Sequence, residues 1–322
     1  MLNIMYKPLL LLLLLCSNLV FSQVKDSAFW RIKSAERELQ ALQARTFFSK
    51  TDKERLEGNK AFIEVWDRII ADPRILLYPF DSLKEISVLR PADKHFLLIT
   101  WNIPRSDGSH NYFGYLLVNN VRKVKQGFLR SKTVSNYETY KLIDRSVTVK
   151  SPETYVGSPE KWFGMLYTQL IECDGYYTLL GWDGNDRMTQ RKFVDALYFK
   201  SNGDPVFGKD IFRFPKRNPR RLMFECSQEV NMSLRYNEKQ NRIIFSHLSP
   251  RQEGNLLEGQ FQFYGPDGSF DALEMHKERW VLVEDIDARN EKSKKDGDYN
   301  NPKNPRLRKN KKMLPVDKTT GK

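Results

Sequence analysis

A chain of 322 residues that is 40% hydrophobic and 29% charged has ample length for one large core or two modest ones. Only three of its residues are cysteine, which excludes a disulfide framework as the source of stability. The formal net charge of +13 is unevenly placed: from Glu291 to Lys322 there are eleven Lys and Arg against four Asp and Glu, a net +7. The remainder is only mildly basic, which argues against nucleic-acid binding by the folded part.

Residues 1–22 read as a secretory signal peptide. Lys7 supplies a thin positive region, Leu9 to Leu15 an unbroken apolar run, and Val20-Phe21-Ser22 a small-residue junction before Gln23. The run is short for a bilayer span, and no later segment approaches the ~20 apolar residues that spanning requires. The expectation is therefore an exported chain, periplasmic or associated with the cell envelope, with no transmembrane segment once the signal is removed. A lipoprotein reading through Cys16 lacks the small residue expected directly before the cysteine.

Residues 23–83 form an N-terminal helical region. Phe29, Trp30, Ile32, Ala35, Leu39 and Leu42 recur at spacings of three and four, placing apolar side chains on one helical face. A second helix opens on Thr51-Asp52-Lys53-Glu54, a capping box, and continues through Phe62, Trp66 and Ile69 until Pro73 stops it. Together they predict a helical hairpin.

Residues 84–287 change texture to short β-rich runs. Lys94 to Trp101 and Tyr112 to Val118 predict a hairpin with a longer loop, and Thr139 to Asp144 a further strand. Four consecutive strands are predicted between Leu166 and Phe212: Met165 to Cys173, Tyr176 to Trp182, Lys192 to Phe199 and Val206 to Phe212. They are cut by Asp174-Gly175, Asp183-Gly184 and Asn202-Gly203, dipeptides that accept the positive φ of tight hairpin turns. Arg213 to Arg221 is a basic, proline-broken connection. Strands resume at Leu222 to Cys226, Asn231 to Tyr236, Arg242 to His247, Gly259 to Tyr264, Phe270 to Met275 and Arg279 to Glu284.

Four strands carry an aromatic residue followed by a turn former, at Trp101-Asn102, Trp182-Asp183, Tyr236-Asn237 and Tyr264-Gly265. Two of these strands follow Glu-Cys, at Glu172-Cys173 and Glu225-Cys226. Equivalent strands of successive meanders would show this pattern, although the irregular spacing of the aromatics opposes a true repeat. The fold class expected is mainly β, an antiparallel meander, sandwich-like or partial propeller-like, behind an N-terminal helical hairpin. From about Ala288 hydrophobic periodicity ends, and 288–322 reads as a disordered basic tail with too little apolar surface to offset ordering entropy.

Catalytic signatures are mostly absent: there is no nucleophile elbow, zinc helix, phosphate-cradling glycine loop or Cys-x-x-Cys pair. His95, His110, His247 and His276 lie far apart and read as surface or hairpin residues. No metal and no cofactor is implied. The best candidate site is Trp182-Asp183-Gly184-Asn185-Asp186, whose oxygens at alternate positions resemble the start of a calcium loop. Arg187 and Met188 break that match, so a turn whose Asp and Asn side chains cap their own backbone is the competing explanation. Gly265-Pro266-Asp267-Gly268-Ser269-Phe270-Asp271 poses the same choice. Trp101, Tyr112, Trp162 and Trp182 either stack on sugar rings or peptides or fill the core. Cys173 and Cys226 are a candidate disulfide if the chain is exported.

Tyr177-Thr178-Leu179-Leu180-Gly181-Trp182-Asp183-Gly184-Asn185 and Pro266-Asp267-Gly268-Ser269-Phe270-Asp271-Ala272, with the Ser22-Gln23 junction, resemble uncharacterised exported proteins of the Bacteroidota. The resemblance implies an envelope location and brings no activity or catalytic residue. The expected role is non-enzymatic binding or structure in the cell envelope, with the tail leaning on anionic envelope components. The alternative is a glycosidase-like hydrolase of envelope polymers, in which Asp183 or Asp186 is paired with a distant carboxylate.

Overall fold

The apolar stripes of the N-terminal region form two helices, α1 over residues 29–47 and α2 over Asp52–Ile69, in a computed structural model that describes residues 29–126, 130–215, 217–252 and 255–287. The signal peptide expected at 1–22 and the disordered basic tail expected at 288–322 lie outside the described residues. The capping box forms as predicted: the Thr51 hydroxyl accepts from the Glu54 amide at 3.2 Å, and the Glu54 carboxylate accepts from the Thr51 amide at 3.2 Å. The pairs Arg45–Glu57 and Arg68–Glu38 show the two helices running antiparallel. Gly58 lets them approach, because a Cβ there would lie 2.9 Å from the Arg45 carbonyl carbon.

The strands follow in chain order. They begin with β1 (Ser87–Leu89), β2 (Phe96–Pro104), β3 (His110–Gln126) and β4 (Arg130–Ile143). Next come β5 (Leu166–Cys173), β6 (Tyr176–Asp183), β7 (Thr189–Phe199), β8 (Pro205–Phe207) and β9 (Phe212–Arg213). The last are β10 (Leu222–Ser227), β11 (Leu234–Asn237), β12 (Arg242–Pro250), β13 (Tyr264–His276) and β14 (Arg279–Val283). Three sheets result. The first is the meander β1-β2-β3-β4, the second runs β10-β7-β6-β5 with β8 beside β7, and the third runs β11-β12-β13-β14-β9. Pairing is antiparallel except between β14 and β9. Among the described residues the protein is thus mainly β and antiparallel, with two N-terminal helices and no closed barrel.

The sheets stack as layers behind the helices, and side-chain parity decides which layer each residue meets. Along β2, Leu97, Ile99, Trp101 and Ile103 join the helices Phe62, Trp66 and Leu39 belong to. Their neighbours Phe96 and Leu98 face the second sheet and meet Leu179, Phe193 and Leu197. On the far side of that sheet, Tyr176, Leu180, Val194 and Ala196 pack against Ile243, Leu273 and Trp280 of the third. The two inner sheets are buried on both faces, which is why their strands read as continuous apolar runs without alternation.

Each junction carries a buried polar bond. Trp101 Nε1 donates to Asn59 Oδ1 of α2 at 2.8 Å, the Tyr167 amide donates to Thr100 Oγ1 at 3.2 Å, and Trp280 Nε1 donates to Thr178 Oγ1 at 2.8 Å. An unpartnered indole N–H or hydroxyl in these layers would cost about 1–3 kcal/mol, so these bonds also select how the layers register.

Three local expectations are corrected. The run Val206 to Phe212 is not one strand, because β8 pairs with β7 while β9 pairs with β14 in another sheet. Gly259 to Tyr264 is a 3-10 turn at Phe261–Phe263 leading into β13. The aromatic-and-turn repeat also dissolves: Tyr236 lies near the end of β11, whereas Tyr264 begins β13.

Candidate functional site

The segment Trp182 to Asp186 closes β6 and turns toward β7. Asp183-Gly184 is not a two-residue turn: Asp183 still pairs with Arg191, and the reversal runs through Asn185, whose φ is +50°. By parity Asp183 faces the first sheet, where its Oδ1 accepts from the Tyr112 hydroxyl at 2.7 Å and from the Asn185 amide at 2.8 Å. Its Oδ2 lies 3.9 Å from Arg191 Nη1. Arg191 also donates from Nε to Glu225 Oε2 at 2.8 Å, while Glu225 Oε1 accepts from the Thr189 hydroxyl at 2.8 Å. One guanidinium therefore bridges two carboxylates, and both carboxylate side chains are about nine-tenths buried, at 10% exposure each.

The surrounding groups complete the network rather than open it. The Tyr112 hydroxyl accepts from the Gly184 amide at 3.0 Å. Burial and the Asp183 charge hold this phenol far above its ordinary pKa, so it stays protonated as the donor to Asp183. His110 Nδ1 lies 2.9 Å from Asn102 Nδ2, so the amide donates and that ring nitrogen accepts. Burial depresses the His110 pKa against the opposing pull of Asp183. Gly184 is required by this ring, since a Cβ there would stand 2.1 Å from His110 Nε2.

The remaining predicted residues are accounted for in the same turn. Asp186 Oδ1 accepts from the Met188 and Thr189 amides at 2.7 and 2.8 Å. Asn185 Nδ2 donates to the Thr189 hydroxyl at 2.6 Å and to Asp186 Oδ2 at 3.2 Å. The half-buried Trp182 donates from Nε1 to Gln190 Oε1 at 3.1 Å. The oxygens a cation would need are turned to backbone and side-chain donors, which is the self-capping turn and not a calcium loop. Among the described residues no group of three or more His, Cys, Asp and Glu is arranged to hold a metal. Asp267 caps Ser269 in the same way, at 2.9 Å to the amide and 2.8 Å to the hydroxyl.

Of the aromatics proposed for stacking, Trp101 and Trp162 are fully buried and Tyr112 nearly so. Trp182 alone of the four keeps part of its ring at the surface. Cys173 and Cys226 are free thiols. They sit on β5 and β10, the two opposite edges of the second sheet. Three strand spacings of about 4.8 Å separate those edges, well beyond the Cα separation of about 4.4–6.8 Å that a disulfide allows. Burial raises the pKa of both thiols.

Comparison of the chain with protein-family models, curated proteins and solved structures finds no match. The site must stand on its own geometry.

Sequence reading missed Tyr112, Arg191 and Glu225 as members of this network, and His110 as its neighbour. Tyr112 and Asp183 are 71 positions apart, and Thr189 and Glu225 are 36 apart, so no local spacing marks them. A second pairing was missed as well. His247, read as a surface residue, lies with Nδ1 2.8 Å from Oδ2 of the buried Asp271, which also accepts the Asp285 amide at 3.0 Å. A break in β12–β13 register falls between Ser246 and Leu248, and such a bulge re-aims the residue it carries.

Proposed function

We propose that this protein is an exported component of the cell envelope with a non-enzymatic binding or structural role. The observation that supports this reading is the state of its candidate acids. Asp183 and Glu225 are buried, share Arg191, and accept hydrogen bonds from Tyr112, Asn185 and Thr189. A glycosidase acid–base pair instead faces a cleft, with two carboxyls about 5–10 Å apart and substrate or water between them. Here a guanidinium occupies the place between the carboxylates. The network serves as a staple between the first and second sheets, because Tyr112 belongs to β3 and Asp183 to β6. Export rests on the N-terminal apolar run, and envelope association on the net +7 of the C-terminal stretch.

The test incubates the purified mature chain with solubilised envelope polysaccharides. Reducing-end release and retention by the insoluble polymer are then followed side by side. Saturable retention without new reducing ends is the expected outcome. Release that Asp183→Asn abolishes, with the fold intact by circular dichroism, would overturn it. In cells, deleting 288–322 is expected to free the protein from envelope fractions in low salt, and unchanged partitioning would end the tail's assigned role.

A further inference from the structure

The basic, proline-broken connection from Arg213 to Arg221 finds only part of its use in packing. Arg213 pairs with Asp210 at 2.7 Å, Arg217 pairs with Glu153, and Arg221 is buried against Asp195 at 2.9 Å. Arg220 is exposed and, among the described residues, sits in no close ion pair, although its charge helps to lower the Asp210 pKa. It lines an open pocket of about 460 Å³ together with Lys209, Lys277 and Arg279, which sit in no close ion pair either. Lys209 instead rests its ammonium 4.4 Å from the Tyr198 ring centroid.

These four cations come from separate segments whose backbones are hydrogen-bonded to one another or to a neighbouring strand. The Lys209 amide donates to the Arg220 carbonyl at 3.2 Å, which sets the two ends of the connection side by side. The Trp280 amide donates to the Ile211 carbonyl at 2.8 Å, and Trp280 pairs with Phe212 in the parallel β14–β9 contact. Arg279 is thereby fixed next to Lys209. The Lys277-Glu278 turn is fastened from below, where the Tyr176 hydroxyl donates to the Glu278 carbonyl at 3.0 Å. Both turn residues have positive φ, +45° and +62°. Of the three acids in the lining, Asp210 is already engaged by Arg213, leaving the exposed Asp174 and Glu278.

Packing alone does not account for four cations outside close ion pairs around one concavity, since like charges repel and the three carboxylates of the lining offset only part of their charge. A cationic concavity that also carries carboxylate acceptors is complementary to an anion borne on a hydroxylated scaffold. We propose that this pocket binds the anionic group of a phosphorylated or uronate-type saccharide. Arg220 and Arg279 are the principal anion donors, Lys209 and Lys277 add charge, and Asp174 and Glu278 accept from hydroxyls. This goes beyond the envelope reading and does not depend on export or on the tail.

Isothermal titration of the full mature chain at low salt, with glucose 1-phosphate in one arm and trigalacturonate in the other, tests the proposal and distinguishes the two anion sources. Binding in at least one arm is expected, weakening on addition of salt. The double variant Arg220→Ala/Arg279→Ala should bind that probe at least about tenfold more weakly, as loss of a charge-assisted contact implies. Lys277→Gln provides a milder variant in an exposed turn should the double variant fail to fold, and it should also weaken binding. Lys239→Gln, an exposed lysine outside the pocket and the tail, should leave affinity unchanged. Absence of binding in both arms, or equal affinity in folded pocket variants, would overturn the proposal. Loss on Lys311→Gln/Lys312→Gln with the pocket variants unaffected would assign the anion to the tail and equally overturn it.

Discussion

The Asp195 carboxylate and the Arg221 guanidinium meet at 2.9 Å with neither side chain exposed to solvent. Asp195 Oδ2 also accepts from the Tyr167 hydroxyl at 2.7 Å, its Oδ1 from the Ala196 amide at 2.8 Å, and Arg221 Nη1 donates to the Pro152 carbonyl at 3.1 Å. The guanidinium carbon lies 5.1 Å from the Phe163 ring centroid. Such a pair contributes little net stability over an apolar replacement, yet breaking it strands a buried charge. Arg221→Met is therefore expected to destabilise the fold by about 3–5 kcal/mol. Asp195→Leu in the same chain should restore much of that loss. Urea unfolding of the single and double variants measures both, and a single variant as stable as the parent would refute the account.

Tyr112→Phe removes the hydroxyl that donates to Asp183 and accepts from the Gly184 amide. Both partners are buried, so the loss is expected to be about 1–3 kcal/mol, with slope in urea unchanged. If the midpoint does not move, the staple between the first and second sheets is not holding them.

His247 titrates in the opposite sense from His110. The hydrogen bond to Asp271 raises its pKa, assisted by the charges of Asp271, Asp267 and Glu284 and opposed by partial burial. A raised folded-state pKa means that the folded form binds the proton more tightly. The stabilisation is fully present below the unfolded value of about 6.5 and is lost as pH rises through the higher folded value. Thermal midpoints of the wild type and His247→Gln should thus differ most in mildly acidic solution and converge above the folded pKa. A difference that grows with pH would contradict the pairing.

Cys173 and Cys226 should both alkylate after unfolding without reductant, since each is free. In the native protein both should react slowly at neutral pH, because burial disfavours the thiolate. An unreduced mass two protons lower than the reduced one would show that they had been joined.

Much of the local structure was legible because its causes lie within a few residues. Thr51 and Glu54 satisfy each other's donors across one turn, and Pro73 lacks the amide a helix would need. Asp174-Gly175 does form the two-residue hairpin that links β5 to β6, with Gly175 at φ +71°. By contrast, the Lys277-Glu278 turn, with two positive φ values, carries no glycine, asparagine or aspartate signal and is held instead by the Tyr176 hydroxyl. The stretch from Trp182 to Asp186 was legible as a turn, but what its side chains contact was not. Whether Asp183 and Asp186 offer oxygens to a ligand or spend them on donors depends on Tyr112 and Arg191, which arrive from elsewhere.

The sequence by itself determined two helices, a mainly antiparallel β body and a strongly basic C-terminal stretch, because periodicity, capping and charge are local properties. Only the tertiary structure decided which sheet faces which. A strand buried on both sides shows no alternation, and pairing between segments scores of residues apart leaves no mark in either one. The same long-range placement turned Asp183 and Glu225 inward onto one arginine and gathered Arg220, Lys209 and Arg279 around one concavity. Charge can be counted along a chain, but neutralisation is a matter of distance in space.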